Sequence, residues 1–479
     1  MKIIVLNCGS SSVKFKLIDM QDEQDLAKGV VEKIGSSDAI ITYQPKGKNK
    51  LREIREVLNH DVAIEMVISL LMHPQHGVIK DKREIGGIGH RVVHGGEEFS
   101  GSVYITEDVK SAIDRCIQFA PLHNPHNLKG IQGCELLLPG VPQVAVFDTA
   151  FHHTIPPKAY LYGLPYALYE KLGIRRYGFH GTSHQYVSQK TAEVLGKPIK
   201  SLKMITCHLG NGASITAVDG GKSVDTSMGF TPLEGLIMGT RCGDIDPALV
   251  PYIMQKENLT AAQIDNIMNK NSGMLGLTGT SNDMREIEAE ANRGSQQHLL
   301  ALTVYGYRIR KYIGSYMAIL GGVDAIVFTG GIGENSPRIR SYAVENMAAL
   351  GVDVDEEKNQ SRQMDIGKGK VKLLVIPTDE ELAIARDTSD ILQNYTEVPM
   401  APESDESATD SVSLCSDDDR ADLILLWTKE PNADIQVLTD RLNEKTGKHF
   451  KPQALAQELA RIGLQHVSPE KKEQLEKDK

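Results

Sequence analysis

The sequence has few of the features that tie a protein to an oxidising compartment or a membrane. Its six cysteines are scattered, and no two of them form a CxxC pair. Isolated cysteines favour a reducing compartment and argue against a zinc ribbon. No apolar run approaches the roughly 20 residues that cross a bilayer, and the run Ile3–Leu6 is too short for the core of a signal peptide. We therefore expect a cytoplasmic protein without a membrane-bound part.

The chain also lacks an excess of positive charge, since 63 acidic residues outnumber 53 lysines and arginines and give its 479 residues a formal net charge of −10 at pH 7. Bulk electrostatics therefore give no support to binding of nucleic acid or of an anionic membrane surface. An anionic small molecule would have to be held by individual lysines and arginines. The chain is too long for a single hydrophobic core, which predicts two or three domains.

The composition changes near residue 400. Between Ala401 and Asp419 there are many serines and almost no large apolar side chains, with seven acidic residues and no basic one. Such a segment cannot bury enough apolar surface to fold, so 400–420 is predicted to be a disordered acidic linker. Beyond it, Ile435, Leu438 and Leu442 have helical spacing, and 421–479 is predicted to be a small helical tail of unknown role.

Two stretches far apart in the chain read as a strand, a turn of small residues and a second strand. The first comprises the strands Lys2–Asn7 and Val13–Asp19, and the second the strands Met204–Cys207 and Ala213–Val218. A turn without bulky side chains lets backbone N–H groups approach an anion. Either copy alone is most simply an ordinary hairpin. Two copies predict a duplicated core with a nucleotide in the cleft between the halves.

Polar residues follow several predicted strands and glycine-rich turns. These residues are Asn7, Lys14, Arg91, Asp148, His180, Arg241 and Glu380. Phosphoryl transfer needs cations on the transferred oxygens, a metal on the nucleotide phosphates and alignment of the acceptor. This set could supply all three. Each arginine could instead form a structural ion pair, and Asp148 could cap a helix.

Two other site types fit poorly. His180 and His184 have the spacing of a metal site on a helix, but Gly181 lies between them and a third ligand is lacking, which argues against zinc. The stretch Thr329–Asn335 is only superficially similar to a dinucleotide fingerprint, because Ser336 follows where its third glycine should fall.

Several motifs together resemble the acetate kinase family. They are Asn7–Lys14, Gly89–Gly96, Phe147–His152, Tyr177–His184, His208–Gly212, Met228–Pro247 and Phe328–Asn335. They follow the family's order and cover about residues 1–395. The resemblance implies an α/β fold of the acetate and sugar kinase/Hsp70/actin (ribonuclease H-like) type, with two similar domains around a nucleotide cleft. Domain I would span 1–150 and be completed by a helix at 381–395, and domain II would span 151–380. A homodimer is implied as well.

The resemblance also implies a role for each matching residue. The catalytic residues would be Asp148, His180 and Arg241, with Arg91 on the acyl carboxylate and Val93, Leu122 and Pro232 around the methyl group. Mg²⁺, with Mn²⁺ as a substitute, would be held by Asn7 and Glu380. ATP or ADP would contact Lys14, His208, Leu209, Gly210, Asn211, Gly212, Asp283, Met284, Arg285, Gly331, Ile332, Gly333, Glu334 and Asn335. The family pattern has asparagine where this chain has Asp379.

The activity implied is reversible transfer of a phosphoryl group from ATP to acetate, giving acetyl phosphate and ADP. A propionate or butyrate kinase would differ from it only in pocket volume. An Hsp70/actin-like nucleotide-switched ATPase is the alternative from another class. Arg91 and Arg241 argue against that ATPase, because a hydrolytic switch has no need of two arginines aimed at a small carboxylate.

Overall fold

A computed structural model describes residues 1–394, 435–446, 450 and 455. The chain divides into the units Met1–Tyr395 and Thr396–Lys479. In the second unit, the helix Ile435–Thr446 buries Leu438 and Leu442 on one face, as their spacing predicts. The predicted linker at 400–420 and most of the predicted tail lie outside the described residues.

The first unit alternates strands and helices. Its strands are β1 (Lys2–Cys8), β2 (Ser12–Asp19), β3 (Gln24–Glu32), β4 (Ser36–Pro45), β5 (Leu51–Val57), β6 (Ile85–Val92), β7 (Val103–Tyr104), β8 (Gln143–Phe147), β9 (Lys203–Leu209), β10 (Ala213–Asp219), β11 (Lys222–Thr226), β12 (Ala325–Thr329) and β13 (Lys372–Val375). Its α-helices are α1 (His60–Leu71), α2 (Glu107–Arg115), α3 (Asn124–Leu137), α4 (Pro157–Tyr160), α5 (Tyr166–Leu172), α6 (Gly181–Leu195), α7 (Leu249–Glu257), α8 (Ala261–Lys270), α9 (Gly273–Thr278), α10 (Met284–Asn292), α11 (Gln296–Leu320), α12 (Gly330–Asn335), α13 (Pro337–Val344), α14 (Glu356–Gln360) and α15 (Glu380–Asn394).

The strands form two sheets that share a five-strand arrangement. The first sheet has the order β5-β4-β3-β2-β1-β6-β8-β7, and the second has the order β11-β10-β9-β12-β13. In the first, β3, β2 and β1 are antiparallel neighbours and β6 and β8 continue parallel to β1. In the second, β11, β10 and β9 are antiparallel and β12 and β13 continue parallel to β9. The predicted α/β fold with a duplicated core is confirmed.

The central parallel strands are buried on both faces. Every residue of β8 and of β12 is buried, which explains why each reads as an uninterrupted apolar run. Helix α15 covers one face of the first sheet, where Ile384 and Ala385 pack with Ile3 and Val5. Burying one such aliphatic side chain contributes about 1.5–3 kcal/mol. The helix that begins at Glu380 is therefore anchored by its apolar face.

Two helix boundaries follow from local features. Helix α3 begins at Asn124, and Pro125 lies in its first turn, where the fixed φ of proline suits a helix. Helix α2 ends at Arg115 and continues as the 3₁₀ turn Cys116–Gln118. Over the part of the chain that the structure describes, no helix has the length and apolarity needed to span a bilayer.

We expect removal of the second unit to leave the first unit folded. The core clusters of the first unit draw their buried side chains from residues up to Ala385. A stop codon after Met400 should therefore change the midpoint of thermal unfolding by no more than a few degrees, measured by circular dichroism at 222 nm. Trp427 is the chain's only tryptophan, so its fluorescence in the full chain reports on the second unit alone. A large drop in the midpoint on truncation would show that the second unit supports the first.

Candidate active site

Arg91 and Asp148 meet at the carboxyl edge of the first sheet. β6 and β8 are parallel neighbours, so the residues at their ends lie side by side, as is usual for ligand sites in α/β folds. The Arg91 guanidinium donates from Nε to Asp148 Oδ1 at 2.9 Å and from Nη2 to Oδ2 at 2.6 Å. Burial disfavours the charge of Arg91, but Asp148 more than offsets this, and the pKa of Arg91 is raised. The structure thus brings together two predicted site residues.

The helix-cap interpretation of Asp148 is wrong. The 3₁₀ helix that follows, Ala150–Thr154, has no side-chain cap, and both carboxylate oxygens of Asp148 accept from Arg91. The ion-pair interpretation of Arg91 is correct as far as it goes. However, the Arg91 side chain keeps 21% of its surface exposed while that of Asp148 keeps 3%. Arg91 can therefore contact a ligand while it remains fixed by the buried carboxylate.

The two residues predicted to hold a metal line one small cavity. Asn7 near the end of β1, Lys14 on β2, Arg91 and Glu380 at the start of α15 surround a space of about 10 Å³, close to the volume that one water needs. Burial raises the pKa of Glu380, Arg91 lowers it and Asp148 raises it further. An amide oxygen and a carboxylate are suitable ligands for Mg²⁺, which keeps several waters and phosphate oxygens in its shell. Among the described residues, no cluster of three or more His, Cys, Asp or Glu side chains could hold a metal by itself.

Asp379, at the position where the family pattern has asparagine, performs two structural tasks. Its Oδ1 accepts from the backbone N–H of Leu382 at 2.9 Å, in the first turn of α15, where a carboxylate also complements the helix dipole. Its carboxylate also accepts from Lys16 Nζ, at 3.0 and 3.2 Å. The carboxylate therefore stabilises the start of the helix that carries Glu380, as an asparagine cap would, and adds an ion pair.

His180 lies immediately before α6 with a positive φ of 56°, a backbone region in which few residues other than glycine are found. Its Nδ1 is hydrogen-bonded to Ser214 Oγ at 2.9 Å, and its ring stacks on that of His208 at 4.3 Å between centroids. Burial, then His208 and Arg91, hold the pKa of His180 well below its usual value. These surroundings favour the neutral form of the imidazole.

Arg241 extends from the long loop between β11 and α7. Its Nη1 donates to the carbonyl oxygen of Pro232 at 3.1 Å. No carboxylate of the described residues lies within ion-pair distance of it, and burial lowers the pKa of its guanidinium. A Cβ placed on Gly212 would lie 3.4 Å from His180 Nε2 and 3.6 Å from Arg241 Nη1. The glycine therefore keeps open a space on which the Arg241 guanidinium and the His180 imidazole converge.

The loop that carries Arg241 is fastened by a residue that sequence analysis missed. Arg176 Nη1 donates to the carbonyl oxygens of Thr226, Ser227 and Met228 at 2.9–3.2 Å. Its Nη2 donates to Glu234 at 2.6 Å. Because a guanidinium has five donors in a rigid fork, one side chain can hold the start of this loop and Glu234 further along it. Sequence spacing could not reveal this contact, because Thr226 lies 50 residues after Arg176 in the chain.

Most of the predicted nucleotide residues lie on the three segments 208–212, 283–285 and 331–335. Asn211, in the first segment, accepts at Oδ1 from Asn282, which directly precedes the second segment, at 2.9 Å. The carbonyl oxygen of Asn211 accepts from the N–H of Gly239, in the loop that carries Arg241, at 2.8 Å. Gly331 faces open space, with no atom within 4 Å of an added Cβ. Leu209 is fully buried, so only its backbone could reach a ligand. His208 is hydrogen-bonded through Nδ1 to Ser183 at 2.8 Å.

Two residues of the predicted nucleotide set have structural partners. Asp283 caps α10 through the N–H of Arg285 and pairs with that exposed guanidinium. The Glu334 carboxylate accepts from the backbone N–H groups of Gly330 and Thr378 at 3.0 and 3.4 Å. Met284, Ile332, Gly333 and Asn335 lie on the same helices α10 and α12. These contacts hold the first turns of α10 and α12 in place. Asp283 and Glu334 can therefore shape the site through the backbone, without a direct contact between their carboxylates and a ligand.

The three residues predicted to surround a methyl group differ in exposure. Val93 is 7% exposed and lies in a buried cluster with Phe179, whereas Leu122 is 57% exposed. Pro232 is half-buried, and its carbonyl binds Arg241. The structure thus buries Val93 and leaves most of the Leu122 side chain in contact with solvent. Phe179, which packs in the cluster of Val93, was not predicted as a site residue, although it directly precedes His180 in the sequence.

The comparison with known proteins accounts for this arrangement. A sequence model of the acetokinase family matches residues 2–386. The chain belongs to that family. Acetate kinase of Desulfitobacterium hafniense (strain DSM 10664 / DCB-2) is 55% identical over 397 residues, which are 82% of this chain and 100% of that protein. Acetate kinase of Methanosarcina thermophila is 54% identical over 404 residues, 84% of this chain and 98% of that one.

Solved structures agree with the family assignment. The acetate kinase of Porphyromonas gingivalis superposes with a TM-score of 0.79 at 48% identity, covering 82% of this chain and 99% of that one. A propionate kinase from Francisella tularensis superposes with a TM-score of 0.77 at 44% identity, covering 81% and 99%. The resemblance noted in the sequence is confirmed, and this acetokinase-family chain is a kinase. The match to the family ends before the second unit.

Buried histidines predict a loss of stability in mild acid. Burial lowers the pKa of His90, His152 and His208 to about 4. An unfolded histidine titrates near 6.5, so between pH 6.5 and about 4 the unfolded chain binds protons that the folded one does not. As the pH is lowered from 6.5 to about 4, the free energy of unfolding should therefore fall, by up to about 1.4 kcal/mol per pH unit for each histidine. Urea unfolding at a series of pH values measures this slope.

The same series on a His90→Asn variant isolates one residue. Between pH 6.5 and about 4, the free energy of unfolding of His90→Asn should change less steeply with pH than that of the wild type. The difference should approach that of one bound proton, about 1.4 kcal/mol per pH unit. His153→Gln is the matched control, because His153 is exposed, and it should keep the wild-type slope. Equal slopes in the wild type and His90→Asn would contradict the assignment of a neutral buried imidazole.

Proposed function

We propose that this kinase transfers the γ-phosphoryl group of ATP reversibly to acetate, giving acetyl phosphate and ADP by direct in-line displacement. The observation that carries the proposal is the convergence of Arg241 and neutral His180 on the space above Gly212. These donors suit the equatorial oxygens of a phosphoryl group in transfer. The names of relatives at 54–55% identity support acetate as the acceptor.

Arg91 would bind the carboxylate of the acceptor, and Asp148 would hold Arg91. Acetate is ionised at neutral pH, so its oxygen can attack phosphorus without losing a proton. The bidentate contact of Asp148 with Arg91 therefore supports an orienting role for this carboxylate rather than one as a general base. Val93, Leu122 and Pro232 would surround the methyl group.

Asn7 and Glu380 would hold Mg²⁺, with Mn²⁺ as an alternative. When bound, the ion would neutralise charge on the nucleotide phosphates. Lys14 lines the same cavity and would add a positive charge beside those phosphates. The nucleotide would lie along the turn at 208–212, the segment 283–285 and the segment 331–335, where Gly331 leaves room for it.

The assembly and location complete the proposal. Residues 1–150 with 381–395 would form one domain and 151–380 the other, with the nucleotide between them. A homodimer is supported by exposed apolar side chains on α7 and α11, among them Tyr252 and Tyr307, each 57% exposed. Free thiols at Cys8, Cys116, Cys134, Cys207 and Cys242 support a reducing compartment such as the cytoplasm.

The test is acetate-dependent release of ADP by the purified protein. We expect acetate to exceed propionate by about tenfold in kcat/KM and butyrate to be poorer still, because each methylene changes binding by only about 1–3 kcal/mol. A preference for propionate would make the chain a propionate kinase. This activity is the second candidate because the similar Francisella tularensis structure is that of a propionate kinase. ATP hydrolysis that ignores all three carboxylates would favour the Hsp70/actin-like alternative.

Removal of the Glu380 carboxylate should weaken the metal dependence. In Glu380→Ala the Mg²⁺ concentration for half-maximal activity should rise and kcat should fall, because one of two proposed protein ligands is lost. Asp390→Ala is the matched control, since Asp390 is an exposed acid on the same helix α15 and does not line the cavity around Asn7 and Glu380. A Mg²⁺ titration of Glu380→Ala that overlays the wild type would exclude this carboxylate as a ligand.

The two arginines should affect different kinetic constants. Arg91→Ala should raise the KM for acetate as well as lower kcat, because Arg91 would meet the carboxylate in the ground state. Arg241→Ala should act mainly on kcat, because its charge would be needed most in the transition state. Each loss should reach about 100-fold in kcat/KM. Small and equal effects on both constants in the two variants would reject this division.

A further inference from the structure

A chain of hydrogen bonds leads from His180 into the buried interior. His180 Nδ1 contacts Ser214 Oγ at 2.9 Å, and the same oxygen contacts His184 Nε2 at 2.7 Å. His184 Nδ1 in turn contacts Thr206 Oγ1 at 2.7 Å. Ser214, His184 and Thr206 are each 0% exposed. Only the outer end of the chain, His180, lies beside the space above Gly212.

The number of protons limits how this chain can be arranged. Burial keeps the pKa of His180 and of His184 well below the usual value, so each imidazole carries one proton. Each hydroxyl also has only one to donate. The described contacts of the buried Ser214 Oγ are with the two imidazoles and with no other acceptor. Its hydrogen is therefore satisfied only if Ser214 donates to one imidazole and accepts from the other, and this choice fixes which nitrogen of His180 bears hydrogen.

Only one direction of the chain is useful for phosphoryl transfer. If Thr206 donates to His184 Nδ1, then His184 Nε2 donates to Ser214 and Ser214 donates to His180 Nδ1. His180 then presents Nε2–H to the space above Gly212, as a donor to phosphoryl oxygens. In the opposite direction, Nε2 would present a lone pair to an anionic group.

We propose that Ser214 is a positioning residue that holds His180 in its Nε2–H tautomer, with His184 fixing the direction of the Ser214 hydroxyl. The inference rests on the proposed function, in which His180 contacts the transferred phosphoryl group. Ser214 itself touches no substrate. It acts because an imidazole with two tautomers and a free ring torsion donates poorly, whereas one with an occupied Nδ1 is preorganised.

The test is a double-mutant cycle on kcat with the wild type, Ser214→Ala, His180→Ala and the double variant. Ser214→Ala should lower kcat by about tenfold to 100-fold and leave the KM for acetate within about twofold. In the His180→Ala background, the same change should lower kcat by less than about twofold, because the residue it positions is gone. An equal loss in both backgrounds, or wild-type kcat in Ser214→Ala, would overturn the proposal.

Two further comparisons exclude a general packing effect. Thr216→Val removes another fully buried hydroxyl two residues along β10, which contacts Thr226 rather than a histidine, and it should keep kcat within about twofold. His184→Gln, which can donate to Ser214 and accept from Thr206, should retain at least fivefold more kcat than His184→Leu. Equal kcat in these two would overturn the role of His184, even if Ser214→Ala folds poorly.

The cycle is independent of the acceptor. The wild-type preference among carboxylates tests the proposed function, and all variants are then compared with the acceptor that the wild type uses best. A wild type that prefers propionate would change the acceptor but leave the coupling between Ser214 and His180 measurable. Loss of that coupling with acetate turnover intact would reject the positioning role alone.

Discussion

The parallel pairing of β1, β6 and β8 is the constraint on which the first half of the site depends. Parallel strands end at the same edge, so Asn7, Arg91 and Asp148 are neighbours although they are far apart in the sequence. The second sheet repeats the device with β9 and β12, which place His208 and Gly330 at one edge. The backbone ladders thus position the polar groups before any side chain contributes.

The partners of Arg91 and Arg241 explain why both side chains can still bind an anionic ligand. Arg91 is neutralised by Asp148, but Arg241 has only carbonyl and thioether contacts in the described structure. A cation that is buried without a carboxylate is unfavourable until an anion arrives. Arg340 shows the contrasting solution, since it is 0% exposed and binds the carbonyls of Gly333 and Glu334 and the side chain of Asn359. The fully buried Arg340 thus has hydrogen-bond acceptors at a helix end, whereas the partly buried Arg241 keeps donors that a ligand could use.

Much of the fold followed from local patterns, and the site followed from motifs. The two hairpins and the duplicated core were predicted, because apolar runs joined by small-residue turns are local signals. The partners of Asp379, Arg176 and Ser214 were not, because each depends on contacts across elements that no spacing rule gives. The alternation of Thr206 with His208 and of Ser214 with Thr216 was a usable sign of a polar face on the second hairpin. It was interpreted only as strand periodicity.

The backbone of His180 adopts a conformation that reduces the stability of the fold while placing this imidazole beside Gly212. A left-handed conformation costs an L-residue roughly 1–2 kcal/mol relative to glycine, and His180 adopts it at φ 56° and ψ 24°. Glycine at this position would relieve the strain and remove the imidazole. Under the proposed function, selection for thermal stability alone would therefore favour loss of activity at this position, and a stabilised version of this chain should be sought by changes elsewhere.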